Sequence, residues 1–218
     1  MNKYDVIEYI RERCIIAVVR ADTGGEELLR VVEAIAEGGV HCVEVTMTTP
    51  GALRCVEEAS ARMKDTDACL GVGTVLDSET CRQAILAGAR YIVSPTLSRP
   101  VIETARRYGV PVIAGAYTPT EMLNAWEWGA DMVKVFPANI GGPEYIKSVL
   151  GPLPQLLLVP TGGVTLDNVG TFLHAGCAAL AVGGNLVTKR LVNERDYVGI
   201  TSNARAFAHA VERAREHD

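Results

Sequence analysis

The chain has 218 residues, 48% hydrophobic and 22% charged, with 21 basic and 26 acidic side chains and a formal net charge of −5. This is the balance of an ordinary water-soluble globular chain, and without a basic tract it argues against nucleic acid as a partner. No apolar stretch reaches transmembrane length and the N-terminus is charged and amphipathic, so no membrane association is expected and the expected compartment is the cytoplasm. The six cysteines (Cys14, Cys42, Cys55, Cys69, Cys81 and Cys177) form no Cys-x-x-Cys pair, and several fall in apolar patterns. Buried reduced thiols are expected rather than disulfides or a zinc site.

In chain order, Tyr4–Arg13 reads as a first helix. Short β-branched runs then alternate with helical patterns. Strands are expected at Ile15–Val19, Cys42–Thr46, Cys69–Thr74, Tyr91–Ser94, Val112–Ala114, Met132–Phe136, Leu156–Pro160 and Ala179–Val182. Between them lie helical patterns at Glu26–Glu37, Gly51–Met63, Ser78–Ala87, Ser98–Tyr108, Thr120–Trp128, Pro143–Val149 and Asp167–Ala175. Asn203–Glu216 supplies a last outer helix. Gly38, Gly88, Gly109, Gly129 and Gly176 stand where left-handed caps would end helices. Thr118-Pro119-Thr120-Glu121 and Thr165-Leu166-Asp167 read as capped helix starts.

Strand follows strand at roughly 20–27 residues, with no linker or low-complexity insert. Short strands joined by helices imply parallel pairing through right-handed crossovers. An open doubly wound sheet shares that local pattern, but a count of eight units favours closure. The expected fold is α/β, a compact (β/α)₈ TIM barrel forming one domain over residues 1–218, with the N-terminal helix covering its bottom.

Of the five lysines, four lie in or beside polar stretches, whereas Lys134 lies in Met132-Val133-Lys134-Val135-Phe136-Pro137. Strand side chains alternate faces, so Val133 and Val135 point one way and Met132, Lys134 and Phe136 the other. Apolar surroundings disfavour an ammonium, and its pKa is expected to fall. An ordinary lysine offers only about 0.04% free amine at neutral pH, so such a fall prepares a Schiff-base nucleophile. A strand-end lysine that snorkels into water remains the alternative at this point.

The same alternation turns Cys42, Glu44 and Thr46 into the barrel, where a carboxylate is costly unless paired or functional. A structural ion pair with Lys134 or Arg20 is the other reading of Glu44, and the same pairing could tune catalytic pKa values. Arg20 closes the first strand, at the mouth where barrel sites are built, and its planar fork suits a carboxylate or phosphate. Thr74 occupies the matching end of the third strand. Gly71-Val72-Gly73 lacks the continuation of a dinucleotide fingerprint. Thr161-Gly162-Gly163-Val164 follows strand seven and Gly183-Gly184-Asn185 follows strand eight, the two places where barrels of this kind cradle phosphate on backbone N–H groups; tight βα turns, which any short barrel needs, are the other reading of both pairs. His41, His174, His209 and His217 show no metal-ligand spacing.

The ordered set of these segments resembles the 2-keto-3-deoxy-6-phosphogluconate/4-hydroxy-2-oxoglutarate (KDPG/KHG) aldolase family. The residues that carry the resemblance are Gly39-Val40-His41-Cys42-Val43-Glu44-Val45-Thr46, Gly71-Val72-Gly73-Thr74-Val75, Ser94-Pro95, Lys134-Val135-Phe136-Pro137, Gly142-Pro143-Glu144-Tyr145-Ile146-Lys147 and Pro160-Thr161-Gly162-Gly163-Val164. The resemblance implies that Lys134 forms the imine and that Glu44 is the acid/base. Arg20 and Thr74 would hold the substrate carboxylate, and Thr161, Gly162, Gly163, Gly184 and Asn185 its phosphate. Pro95 and Phe136 would wall the pyruvyl part. Many members carry an arginine where this chain has Thr48. Others, including galactonate-type relatives, have a small or polar residue there and an arginine like Arg20. Gly184-Asn185 replaces a serine common in the last phosphate loop.

The implied activity is a class I aldolase that cleaves a keto-acid phosphate, 2-keto-3-deoxy-6-phosphogluconate, into pyruvate and glyceraldehyde 3-phosphate. It would need no cofactor or metal, and the family is commonly a homotrimer. The rival substrates are 4-hydroxy-2-oxoglutarate and the galactonate epimer. The rivals from other classes are a non-catalytic phosphosugar-binding protein and a phosphosugar epimerase.

Overall fold

The computed structural model describes residues 1–216, so His217 lies outside the described residues. The elements run α1 (Lys3–Arg13), β1 (Ile15–Val19), α2 (Gly25–Glu37), β2 (Cys42–Thr46), α3 (Ala52–Arg62), β3 (Cys69–Gly73), α4 (Ser78–Leu86), β4 (Tyr91–Val93) and α5 (Arg99–Arg107). They continue as β5 (Val112–Ala116), α6 (Pro119–Trp128), β6 (Met132–Val135), α7 (Gly142–Leu150), β7 (Leu158–Pro160), α8 (Val169–His174), β8 (Leu180–Val182), α9 (Lys189–Asn193) and α10 (Tyr197–Arg215). Among the described residues no helix is long and apolar enough to cross a membrane.

Local chemistry explains most boundaries. Thr118 caps α6 through a capping box with Glu121, and Pro119 opens the helix with its φ already helical. At three of the boundaries that shift, a side-chain bond or a backbone angle accounts for the difference. The Thr165 N–H donates to Asn168 Oδ1 at 2.8 Å, so residues 165–168 form a turn and α8 starts later than the expected Asp167. The left-handed turn after α2 falls at Gly39 (φ 90°) rather than at Gly38, which stays right-handed. The final helix begins at Tyr197, where Asp196 caps the N–H of Gly199, and not at Asn203. The short α9 has no counterpart among the expected elements.

All eight strands are parallel and pair in the order β7-β6-β5-β4-β3-β2-β1-β8. The sheet closes on itself between β7 and β8. There a parallel bridge joins Thr161 to Ala181, and the Ala178 N–H donates to the Leu158 carbonyl at 2.8 Å. The closed sheet is the expected (β/α)₈ barrel.

Closure divides the apolar residues into two cores. Val43, Val45, Val133 and Val135 pack outward against the helices, with Leu28, Leu29, Val56 and Ile102 among their partners in the outer core. Inside lie Ile16, Val18, Cys42, Cys69, Tyr91, Val93, Ile113, Met132 and Val159, plugged by Val6 and Ile10 of α1. The strand parity therefore stands as expected, and α1 covers the bottom. The six cysteines are free, and five of them are buried.

One strand leaves its inner face bare. On β3 the inward positions are Gly71 and Gly73, and neighbouring strands fill the space. The Tyr91 ring of β4 crosses Gly71 so closely that an added Cβ would lie 2.4 Å from it. The Glu44 carboxylate of β2 lies over Gly73, where a Cβ would sit 1.7 Å from Oε1. The Gly-x-Gly that reads as a weak motif in sequence is thus a packing requirement for two side chains from other strands.

Because the Tyr91 ring is fully buried, Gly71→Ala has no room to relax. We expect it to destabilise the fold by about 1–3 kcal/mol in urea unfolding. Part of that loss should return when Tyr91 is also changed to Leu. An unaltered unfolding midpoint would show that the ring moves aside freely.

Candidate active site

Lys134 projects inward from β6, between Gly115 of β5 and Val159 of β7 in register. It is only 5% exposed. The Phe136 ring lies just past the end of β6 with its centroid 5.3 Å from the amine. Phe136 itself is 39% exposed, so it forms the outer lip of the site and not a buried wall. Pro95 comes from the loop after β4. Its carbonyl approaches Gly115 so closely that a Cβ there would be 2.4 Å from the Pro95 oxygen. The loop is thereby pressed against the neighbour of Lys134.

Glu44 is 1% exposed, and neither carboxylate oxygen has a hydrogen-bond partner. The ion pair with Lys134 or Arg20 that sequence left open is not formed: among the described residues no cationic nitrogen lies within 4.0 Å of it. Burial holds its pKa above the usual carboxylate range, and the nearby Lys134 and Arg20 charges offset this only in part. An unpaired, protonatable carboxylate facing a buried amine is poor structural economy and suits proton transfer.

Thr74 follows β3 with a left-handed backbone, φ 58°. For a β-branched residue that conformation costs about 1–3 kcal/mol and persists only where the surroundings enforce it. Beside it, the top of β2 carries a hydroxyl cluster. Thr46 Oγ1 lies 3.0 Å from Thr48 Oγ1 and 3.2 Å from Thr49 Oγ1. The Ala21 N–H donates to Thr49 Oγ1 at 3.2 Å and so ties the loop bearing Arg20 to the loop bearing Thr48.

A cavity of about 260 Å³ opens next to this centre. It is lined by Val18, Arg20, Phe136, Thr161, Gly162, Gly163, Val164, Ala181, Gly183, Gly184, Asn185, Val187 and Lys189. Gly162 and Gly163 have φ of 93° and 77°, and a Cβ on Gly163 would strike Asn139 at 2.5 Å. The two glycine loops therefore meet in one cavity, as their sequence positions suggested. The Asn185 amide, however, donates to the Val164 carbonyl at 2.7 Å. It latches the two loops together with one of its hydrogens, which leaves the other for a ligand.

One residue that lines this cavity, Lys189, and one that packs behind its glycine loop, Asn139, escape the sequence pattern. Lys189 sits at the start of the unexpected α9, in a polar run that looks merely solvated. Asn139 lies beyond the strand-six motif. Asn139 meets Gly163 only through the pairing of β6 with β7, and Lys189 joins the lining only through the turn between β8 and α9. Among the described residues, no three His, Cys, Asp or Glu side chains gather in a metal-binding group.

Comparisons with known proteins show which family the chain belongs to. The family model described as KDPG and KHG aldolase matches residues 6–203. A 2-dehydro-3-deoxy-phosphogluconate aldolase of Treponema pallidum is 32% identical over 201 residues, spanning 91% of this chain and 92% of the relative. A 2-dehydro-3-deoxy-6-phosphogalactonate aldolase of Escherichia coli is 33% identical over 199 residues, spanning 91% and 96%. Among solved structures, the KDPG aldolase of Legionella pneumophila, with pyruvate captured as a covalent carbinolamine, superimposes with a TM-score of 0.82 at 27% identity. That match covers 92% of this chain and 96% of the other. The chain belongs to the KDPG and KHG aldolase family and is an aldolase, a carbon–carbon lyase.

Proposed function

We propose that this aldolase is of class I and reversibly cleaves 2-keto-3-deoxy-6-phosphogluconate into pyruvate and glyceraldehyde 3-phosphate. The observation that carries the reading is the buried Lys134 amine sharing the barrel mouth with the unpartnered Glu44 carboxylate. The Legionella relative, which holds pyruvate as a carbinolamine, supports it. We further propose that the chain forms one barrel domain over residues 1–218 and works in the cytoplasm as a homotrimer.

In this reading the neutral Lys134 amine attacks the C2 ketone. The carbinolamine loses water to give a protonated imine. Glu44, directly or through water, takes the proton from the C4 hydroxyl. The C3–C4 electron pair moves into the imine to leave an enamine, and the aldehyde departs. Glu44 returns its proton to C3, and water hydrolyses the imine to free pyruvate and the lysine. Arg20 and Thr74 hold the carboxylate. Thr161, Gly162, Gly163, Gly184 and Asn185 receive the phosphate, while Pro95 and Phe136 flank the pyruvyl carbons.

A second reading keeps the chemistry and exchanges the substrate for the galactonate epimer. Thr48 together with Arg20 favours it, as does the likeness to the Escherichia coli phosphogalactonate enzyme. Comparing kcat/KM for the two C4 epimers and for 4-hydroxy-2-oxoglutarate separates these substrates.

Borohydride reduction in the presence of pyruvate is expected to leave a reduced pyruvyl adduct on Lys134, located by peptide mass mapping and missing in Lys134→Ala. Folded protein that gives no adduct at saturating pyruvate would sink the class I reading and leave a binding protein or an epimerase.

Glu44→Gln is expected to lower kcat by about 10²–10⁴-fold. In the unsubstituted enzyme the acid limb of activity should fall at a pH above 4.5, the ordinary carboxylate value, because the base is lost as Glu44 takes up its proton. The stability effect has the opposite sense. A carboxyl that holds its proton more tightly when folded stabilises the fold at acid pH, and that contribution is lost as pH rises through the folded-state pKa. Glu44→Gln should therefore melt higher than the parent at neutral pH, with the gap closing as pH falls toward 4.5. A variant that melts lower at neutral pH would contradict the picture of an uncompensated buried carboxylate.

A further inference from the structure

The cavity holding the glycine loops contains two side-chain cations, Arg20 and Lys189, and no carboxylate. Neither cation has a carboxylate within 4.0 Å among the described residues. The contrast with the next residue is direct, since Arg190 turns along α9 to pair with Glu194. Lys189, exposed at the start of α9, is one of the residues that line the opening, as are Gly184 and Asn185.

The two cations serve different ends of the cavity. Arg20 follows β1, the strand whose Val18 pairs with Glu44 of β2, whereas Lys189 opens α9 after the Gly183-Gly184 loop. Arg20 therefore belongs with the reacting carbons and the carboxylate. That leaves the far end with backbone N–H groups and one lysine. Glycine loops bind a phosphate through fixed dipoles, which orient it but cannot match a charge of about −1.5 to −2. A lysine at the rim supplies a mobile point charge for that purpose.

We propose that Lys189 is the charge partner of the substrate phosphate and the residue that makes this enzyme prefer a phosphorylated keto-deoxy sugar acid to its unphosphorylated form. The proposal rests on the aldolase reading and adds a residue that binds the end remote from the chemistry. Because that end does not change during cleavage, the contact is uniform between ground and transition states, and its loss appears in KM and not in kcat.

The test compares the enzyme with Lys189→Met and Lys189→Arg on 2-keto-3-deoxy-6-phosphogluconate and on 2-keto-3-deoxygluconate. Thermal melting and borohydride trapping of pyruvate on Lys134 are run alongside. In Lys189→Met we expect the ratio of kcat/KM for the phosphorylated over the unphosphorylated substrate to fall about tenfold or more, carried by KM, as for loss of one charge-assisted hydrogen bond. Inorganic phosphate should become a weaker competitive inhibitor by a similar factor, and Lys189→Arg should restore most of both. If the ratio is unchanged, or if the two substrates lose activity equally, the assignment of Lys189 is overturned. Failure of the aldolase reading is distinct from this: the unsubstituted enzyme would then trap no pyruvate and cleave neither compound.

Discussion

Closure of the parallel sheet between β7 and β8 is the constraint on which the rest of this molecule depends. Eight short strands joined edge to edge leave an interior into which every second side chain must point. The bridge between Thr161 and Ala181 completes that ring at the catalytic end. It also brings Gly162-Gly163 and Gly183-Gly184 to one cavity, so the pairing that removes the last sheet edges assembles that cavity. An open sheet with the same elements would hold those loops at opposite edges, and Lys134 and Glu44 would not face a common space.

The interior is apolar at the bottom and ionisable at the top. Val6, Ile10, Ile16, Cys42, Cys69 and Met132 fill the lower part. Near the mouth the chain accepts costs that a purely structural core would avoid. Glu44 is buried without a partner, Lys134 is nearly buried, and Thr74 takes a left-handed backbone. Each lowers stability, and all three gather around one point. Strain and unsatisfied charge concentrated in this way are characteristic of sites in which preorganisation for chemistry outweighs local stability. The surrounding packing makes this tolerable, because Gly73 opens the space in which the Glu44 carboxylate lies.

The rim has two distinct polar regions. Around the top of β1 and β2, the hydroxyls of Thr46, Thr48 and Thr49 form one hydrogen-bonded group joined to the backbone of Ala21. Arg20 precedes Ala21, so this hydrogen bond joins the end of β1 to the loop that carries Thr48. At the other region, Asn185 fastens the two glycine loops to each other through the Val164 carbonyl. A fixed loop pair presents its N–H groups in one arrangement, so under the proposed function a phosphate would be bound without ordering them first.

The sequence alone determined the alternation of elements, the inward face of each strand and the separation of Lys134 from the other four lysines. These follow from short-range rules: a period of two along strands, glycine and capping residues at helix ends, and the cost of a charge in an apolar run. The barrel with its covered bottom, the inward Glu44, and the two glycine loops were all legible in that way. Local pattern could not reveal why β3 carries Gly71 and Gly73, because the side chains that need the space come from β4 and β2. It could not decide whether Glu44 was paired, since that depends on distances across the ring. Nor could it show that Asn185 spends a hydrogen on Val164, or that Lys189 reaches the cavity from a helix of five residues. Those relations depend on which strands pair and, at the cavity, on the closing of the sheet, and neither is contained in a local pattern.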